Sequence, residues 1–125
     1  MPTSNQDGNE VLRLLENRKS VRAFEPEEIP EEDVQAILRA AVQAPTAGNM
    51  TLWTAIRVCD PEKKRQLADS CDHQPFIAAA PLVLVFCADD KRWMDVFATM
   101  PEAKPLRPPG EGDLLLATLD AVIAA

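Results

Sequence analysis

The sequence predicts an α/β (α+β) domain in which helices cover a small sheet. Three observations point there. Proline and acidic helix-start signals recur along the chain, two short β-rich runs stand between the helical segments, and the second run is apolar on both faces. The first eight residues read as a loose, flexible polar tail. Val11, Leu12, Leu14 and Leu15 then give a short helical apolar face, so the first helix is expected over about 9–19. Residues 20–29 have no sustained period and contain Pro26, which predicts an extended or looped connection. Pro30 followed by Glu31, Glu32 and Asp33 marks a helix start, because proline is preorganised for the first turn and carboxylates favour the positive dipole end. Val34, Ile37, Leu38, Ala41 and Val42 form one apolar stripe along that helix, and Pro45 stops it.

Residues 46–52, with Gly48 and Asn49, read as a loop leading to a strand at about 54–59. Asp60 is placed to cap a helix that has Pro61 at its first position and runs to about Ser70. A helical turn is expected at 76–80, and the second strand at 82–88 has the apolar character of a central strand covered on both sides. A helix over 91–99 follows, then a Pro- and Gly-rich irregular connection over 100–112. Asp113 is the N-cap candidate of a last helix, 114–125, in which ten of twelve residues are apolar, so burial nearly all round is expected. That helix ends without a polar turn, glycine or basic cap, and two strands alone make a marginal sheet. Together these features predict that the 125 residues are the first part of a longer chain.

Composition narrows the functions. The 46% hydrophobic and 26% charged residues are those of a chain with a core, and the length allows one domain. A net charge of −7 argues against nucleic-acid or anionic membrane partners, which require a basic face, so any anion site is local. Cys59, Cys71 and Cys87 form no CxxC pair, which points away from a disulfide framework or thiolate zinc site and toward a reducing cytoplasm. With His73 the only histidine, a histidine-based metal site and a Ser-His-Asp triad are not expected. Cys59 and Cys87 read as small core residues in strands, and Trp93 and Phe97, four apart, as a packing face. The longest apolar run falls well short of the about 20 residues of a membrane span.

Two segments carry possible chemistry. Arg18, Lys19 and Arg22 bring three cations into five residues of an acidic chain, with the Ser20 hydroxyl between them. Arginine forks and a lysine point charge suit phosphate oxygens; the same residues also suit the negative end of a helix dipole. Pro45, Thr46, Ala47, Gly48 and Asn49 combine a helix stop, small residues and an amide, so a flat ligand could lie close to the backbone while Asn49 meets a heterocycle edge. An ordinary helix-to-strand loop has the same composition. Cys71 and His73 do not by their spacing make a nucleophilic pair.

The order of these segments resembles the FMN-dependent nitroreductase family. Arg18-Lys19-Ser20-Val21-Arg22-Ala23-Phe24 is followed by Ile29-Pro30 opening a helix, then by Ala44-Pro45-Thr46-Ala47-Gly48-Asn49 and Trp53 before a strand. Cys71-Asp72-His73-Gln74-Pro75-Phe76-Ile77, the strand at 82–88 and Pro109-Gly110-Glu111-Gly112-Asp113 look like one branch of it. The likeness implies a three-layer α-β-α sandwich, here truncated, so that residues 1–125 would be a single domain incomplete at its C-terminal end. It also implies a homodimer holding FMN at the subunit interface. Arg18, Lys19, Ser20 and Arg22 would hold the flavin phosphate and ribityl chain. Pro45, Thr46, Ala47, Gly48 and Asn49 would approach the ring from the partner subunit, and Gln74 is a candidate ribityl or ring contact. Thr51-Leu52-Trp53 departs from the Gln-Pro-Trp of many members. The implied activity is ping-pong transfer of hydride from NAD(P)H through flavin to a nitroaromatic, quinone or related small-molecule acceptor, with no protein catalytic residue or metal. A flavin-binding module without turnover, or an inactive N-terminal fragment, is the alternative.

Overall fold

A computed structural model of the chain describes residues 9–102 and 107–125. The expected tail over residues 1–8 and the middle of the irregular connection, 103–106, lie outside the described residues. The helices are α1 (Glu10–Asn17), α2 (Glu31–Val42), α3 (Pro61–Ser70), α4 (Pro75–Ala79), α5 (Lys91–Ala98) and α6 (Glu111–Ala124). The strands are β1 (Trp53–Arg57) and β2 (Leu84–Ala88), and a 3-10 turn spans Ala47–Asn49.

Local chemistry explains most of the boundaries. The Asn9 side chain accepts a hydrogen bond from the Val11 N–H at 3.0 Å and opens α1. Pro30 stands at the N-cap of α2 without a side-chain bond, ahead of the acidic first turn Glu31, Glu32 and Asp33. Asp60 caps α3, accepting from Glu62 N–H at 2.7 Å and Lys63 N–H at 3.3 Å. The start of α6 differs from expectation. Its N-cap is Gly110, three residues before Asp113, and Asp113 instead occupies the third helical position. From there its carboxylate reaches back to the Gly110 N–H at 2.8 Å and pairs with Arg107, satisfying free donors of the first turn from inside the helix.

The two strands pair antiparallel, with Trp53 opposite Ala88, Ala55 opposite Phe86 and Arg57 opposite Leu84. Helices α3 and α4, packed on each other, connect them, and α6 lies against both strands with α2 beside it. Among the described residues β2 therefore has one ladder partner and is half-buried, not a central strand enclosed on both sides. The core gathers Ala41, Trp53, Ala121 and Ala124, with Phe86 packed on it; the Trp53 and Phe86 rings lie 5.4 Å apart. Cys87 is half-buried in β2 as expected of a strand residue, whereas Cys59 lies beyond the end of β1 and is exposed.

Helix α6 is also not buried all round. Its alanines Ala117, Ala121 and Ala124 face inward with Asp120, while Leu114, Leu115, Leu119, Val122 and Ile123 remain exposed. Small residues let the helix approach the sheet closely. Helix α1 likewise exposes Val11, Leu12, Leu14 and Leu15. Among the described residues no helix is long and apolar enough to cross a membrane.

Candidate functional site

The basic segment leaves α1 in extended conformation, with Arg18 as the C-cap at φ −61° and ψ 131°. Arg18, Lys19, Ser20 and Arg22 are all exposed. Among the described residues no carboxylate pairs with the three cations, although acidic residues outnumber basic ones in the chain. The Arg22 guanidinium lies over the Phe76 ring, 5.6 Å from its centroid. That contact draws the basic segment to the start of α4, where Gln74 is the N-cap. The Gln74 side-chain amide donates to the Cys71 carbonyl at 2.7 Å, stabilising a turn in which Asp72 and His73 take positive φ. The structure thus gathers Arg22 and the Gln74 turn on one face.

The second cluster sits elsewhere, in the connection from α2 to β1. Gly48 and Asn49 both have φ 58° and Thr51 has φ 51°. Glycine adopts this conformation readily and asparagine tolerates it, whereas a β-branched threonine does so only under constraint. The constraint comes from three sides. The Thr46 hydroxyl oxygen accepts from the Thr51 N–H at 3.0 Å. The indole N–H of Trp93 on α5 donates to the Met50 carbonyl at 2.6 Å, and Arg92 donates to the Thr51 carbonyl. On the opposite side, buried Asp120 of α6 accepts from the Ala47 and Leu52 N–H groups. The exposed Gly48 N–H and Asn49 side chain are engaged by no other group among the described residues.

Asp89 ties the neighbouring elements together. It accepts from the Thr54 hydroxyl on β1 and from the Arg92 N–H that opens α5, while its own N–H donates to the Leu52 carbonyl at 2.9 Å. The Thr54 hydrogen bond, with a smaller contribution from Arg92, holds its carboxyl below the usual carboxylate range. Trp93 and Phe97 stack at 5.7 Å and, with Met50, Leu52 and Met94, wall a cavity of about 190 Å³ beside the loop. They form a packing face, as expected, which also braces the loop through the Trp93 N–H.

Among the described residues no hydrogen bond or ion pair joins the basic segment to the 45–49 loop. The two clusters differ in donor chemistry. Uncompensated arginines and lysine with a hydroxyl suit a phosphate and a polyol. A backbone N–H and an amide beside small residues suit the polar edge of a flat heterocycle. The family model described as the nitroreductase family matches residues 15–120. The chain belongs to the nitroreductase family.

The chain is 32% identical over 116 residues to an FMN reductase [NAD(P)H] of Bacillus subtilis, covering 93% of this chain and 47% of that protein. An NADPH-flavin oxidoreductase of Vibrio harveyi is 30% identical over 84 residues, covering 67% of this chain and 35% of the relative. Among solved structures, B. megaterium NfrA2 superposes with a TM-score of 0.84 at 32% identity, covering 93% of this chain and 47% of that one. The V. harveyi NADPH:FMN oxidoreductase complexed with NAD+ superposes at 0.81 with 26% identity, covering 93% and 48%. The fold is that of the nitroreductases, and the chain spans about half the length of the curated relatives it matches.

Asp120, Arg92 and Trp93 brace the loop without any expectation from the sequence that they would. The available signal was a single aspartate inside the apolar run 114–125, opposite in polarity to every position around it except Thr118. Cys71 and His73 remain apart from any constellation: both are exposed, and the His73 Nδ1 lies 3.7 Å from Asp69 on the same surface.

Proposed function

We propose that the protein is an FMN-dependent NAD(P)H oxidoreductase of the nitroreductase type. The observation that carries this reading is the exposed, unpaired cluster Arg18, Lys19, Ser20 and Arg22 in an acidic chain whose relatives are named flavin reductases. Arg18 and Arg22 grip the cofactor phosphate with forked, charge-assisted hydrogen bonds, Lys19 adds a point charge, and Ser20 meets the ribityl hydroxyls. Gln74, held by its bond to Cys71, keeps its side-chain oxygen for a polyol or ring donor. The loop of Pro45, Thr46, Ala47, Gly48 and Asn49 would approach the flat ring, with the Gly48 N–H and Asn49 amide as donors for its polar edge. Bound FMN would supply the redox chemistry between NAD(P)H and a nitroaromatic, quinone or similar acceptor, in ping-pong order.

The uncovered faces of α1 and α6 support a homodimer, in which the loop of one copy serves the basic segment of the other. Among the described residues the contacts of α6 with α2 and both strands support a single domain. Free cysteines, two of them exposed, support a reducing cytoplasm.

The test is FMN titration by fluorescence quenching, followed by NAD(P)H oxidation with NAD(P)H and a nitroaromatic varied together. Saturable binding and parallel double-reciprocal lines are expected. Absence of binding refutes the reading, and intersecting lines refute the ping-pong order. Binding without turnover would identify a flavin-binding module, the second reading.

A further inference from the structure

Asp120 is the one buried charged side chain among the described residues, 4% exposed on a helix face otherwise made of alanines. A carboxylate in such surroundings is costly unless its oxygens are hydrogen-bonded. Both are. Oδ1 accepts from the Ala47 N–H at 3.1 Å and Oδ2 from the Leu52 N–H at 3.2 Å. These two donors bracket the residues with positive φ, Gly48, Asn49 and Thr51. A backbone of this kind persists when its surroundings over-determine it, and one carboxylate spanning both ends of the segment does so.

We infer that Asp120 is a positioning residue for ligand binding at this loop. By holding Ala47 and Leu52 to α6, it fixes the turn that presents the Gly48 N–H and the Asn49 amide outward. It touches no ligand itself; its action passes through the backbone of residues 47–52. The role in binding rests on the reading of this loop as a flavin contact. The anchoring of the loop does not, since it is a matter of two hydrogen bonds within the chain.

The experiment uses the full chain carrying Asp120→Ala or Asp120→Asn, with Val34→Ala as control. Val34 is fully buried and lies near Arg57 and Val58, at the other end of β1 from the loop. Two quantities are read: amide hydrogen exchange at Ala47 and Leu52, and FMN affinity by fluorescence quenching. Asp120→Ala is expected to speed exchange at both amides by about tenfold or more while the β1–β2 ladder keeps its protection, and to weaken FMN by about tenfold or more. Asp120→Asn keeps one acceptor oxygen and falls between, and it carries both measurements if the alanine variant does not fold. Val34→Ala lowers thermal stability and leaves FMN affinity unchanged.

Unchanged exchange at both amides overturns the anchor. Loosened amides with FMN affinity within about twofold of wild type overturn the positioning role, as does an equal loss in Val34→Ala, which would mark the effect as general destabilisation. A wild type that binds no FMN refutes the flavin reading instead, and the exchange data alone then decide whether Asp120 anchors the loop.

Discussion

Leu115→Glu on the outward face of α6 should dissociate the proposed homodimer while leaving the fold of the chain intact. Leu114, Leu115, Leu119, Val122 and Ile123 are each 49% to 68% exposed, so the substitution sits on solvent-facing surface of the single chain and disturbs no packed contact there. In a symmetric pair the same position occurs twice. Fully burying an apolar side chain is worth about 1.5–3 kcal/mol, so covering the exposed 60% of Leu115 is worth roughly 1–2 kcal/mol per copy. Glutamate forfeits that gain and adds the desolvation of a carboxylate on an apolar face, at least about 1 kcal/mol more per copy. Counted over both copies, the loss is about 4 kcal/mol or more, roughly a thousandfold in the dissociation constant. Light scattering across a range of concentrations, with circular dichroism as a check on folding, measures it. Wild type should run at twice the chain mass, and the variant at the chain mass with the same helical signal. A well-folded wild-type monomer, or an unchanged mass in the variant, would refute the reasoning that a second copy covers this face.

Arg22→Ala should weaken FMN binding about 10- to 150-fold, the value of one charge-assisted hydrogen bond, with little change in thermal midpoint because the side chain is exposed; equal affinity in a fluorescence titration would return Arg22 to a mere stacking partner of Phe76. Asp113, held at a pKa of about 2 against the ordinary 3.8 by Arg107 and the Gly110 N–H, ionises more readily in the folded chain than in the unfolded one. Its stabilising pairing is therefore fully present above pH 3.8 and lost as pH falls toward 2, so amide protection in the first turn of α6 should drop across that window and should lose this pH dependence in Asp113→Asn. Asp60→Ala removes the acceptor for two N–H groups of α3 and should cost about 1 kcal/mol in chemical denaturation, with exchange rising first at Glu62 and Lys63; uniform loosening of the whole domain would contradict a local cap.

The helix starts were legible because each is written in a few adjacent residues. Pro30 with its acidic turn and Asp60 with Pro61 satisfy or replace free N–H groups using atoms one to three residues away, and α1 shows in its apolar face Val11, Leu12, Leu14 and Leu15. The start of α6 was misread because glycine at an N-cap carries no side-chain signal, and an aspartate serves equally well as a cap or as a third-position carboxylate reaching back. The family was legible because the basic segment, the small-residue loop and the Gln74 turn follow one another in a recognisable order.

What the sequence determined by itself was therefore local and ordered: element types, approximate boundaries, the family, and the residue types able to meet a phosphate and a flat ring. Tertiary structure alone decided which side of α6 turns inward, because a helix apolar on nearly all faces contains no internal reason to prefer one. The alanine side won because it lets the helix approach Trp53 and Phe86 closely, leaving the leucines outside. Only that docking carries Asp120 to the loop 68 to 73 residues away in sequence, where it meets the N–H groups of Leu52 and Ala47. Hydrogen bonds at that separation depend on the path of the whole chain, so no window of sequence around either partner contains them.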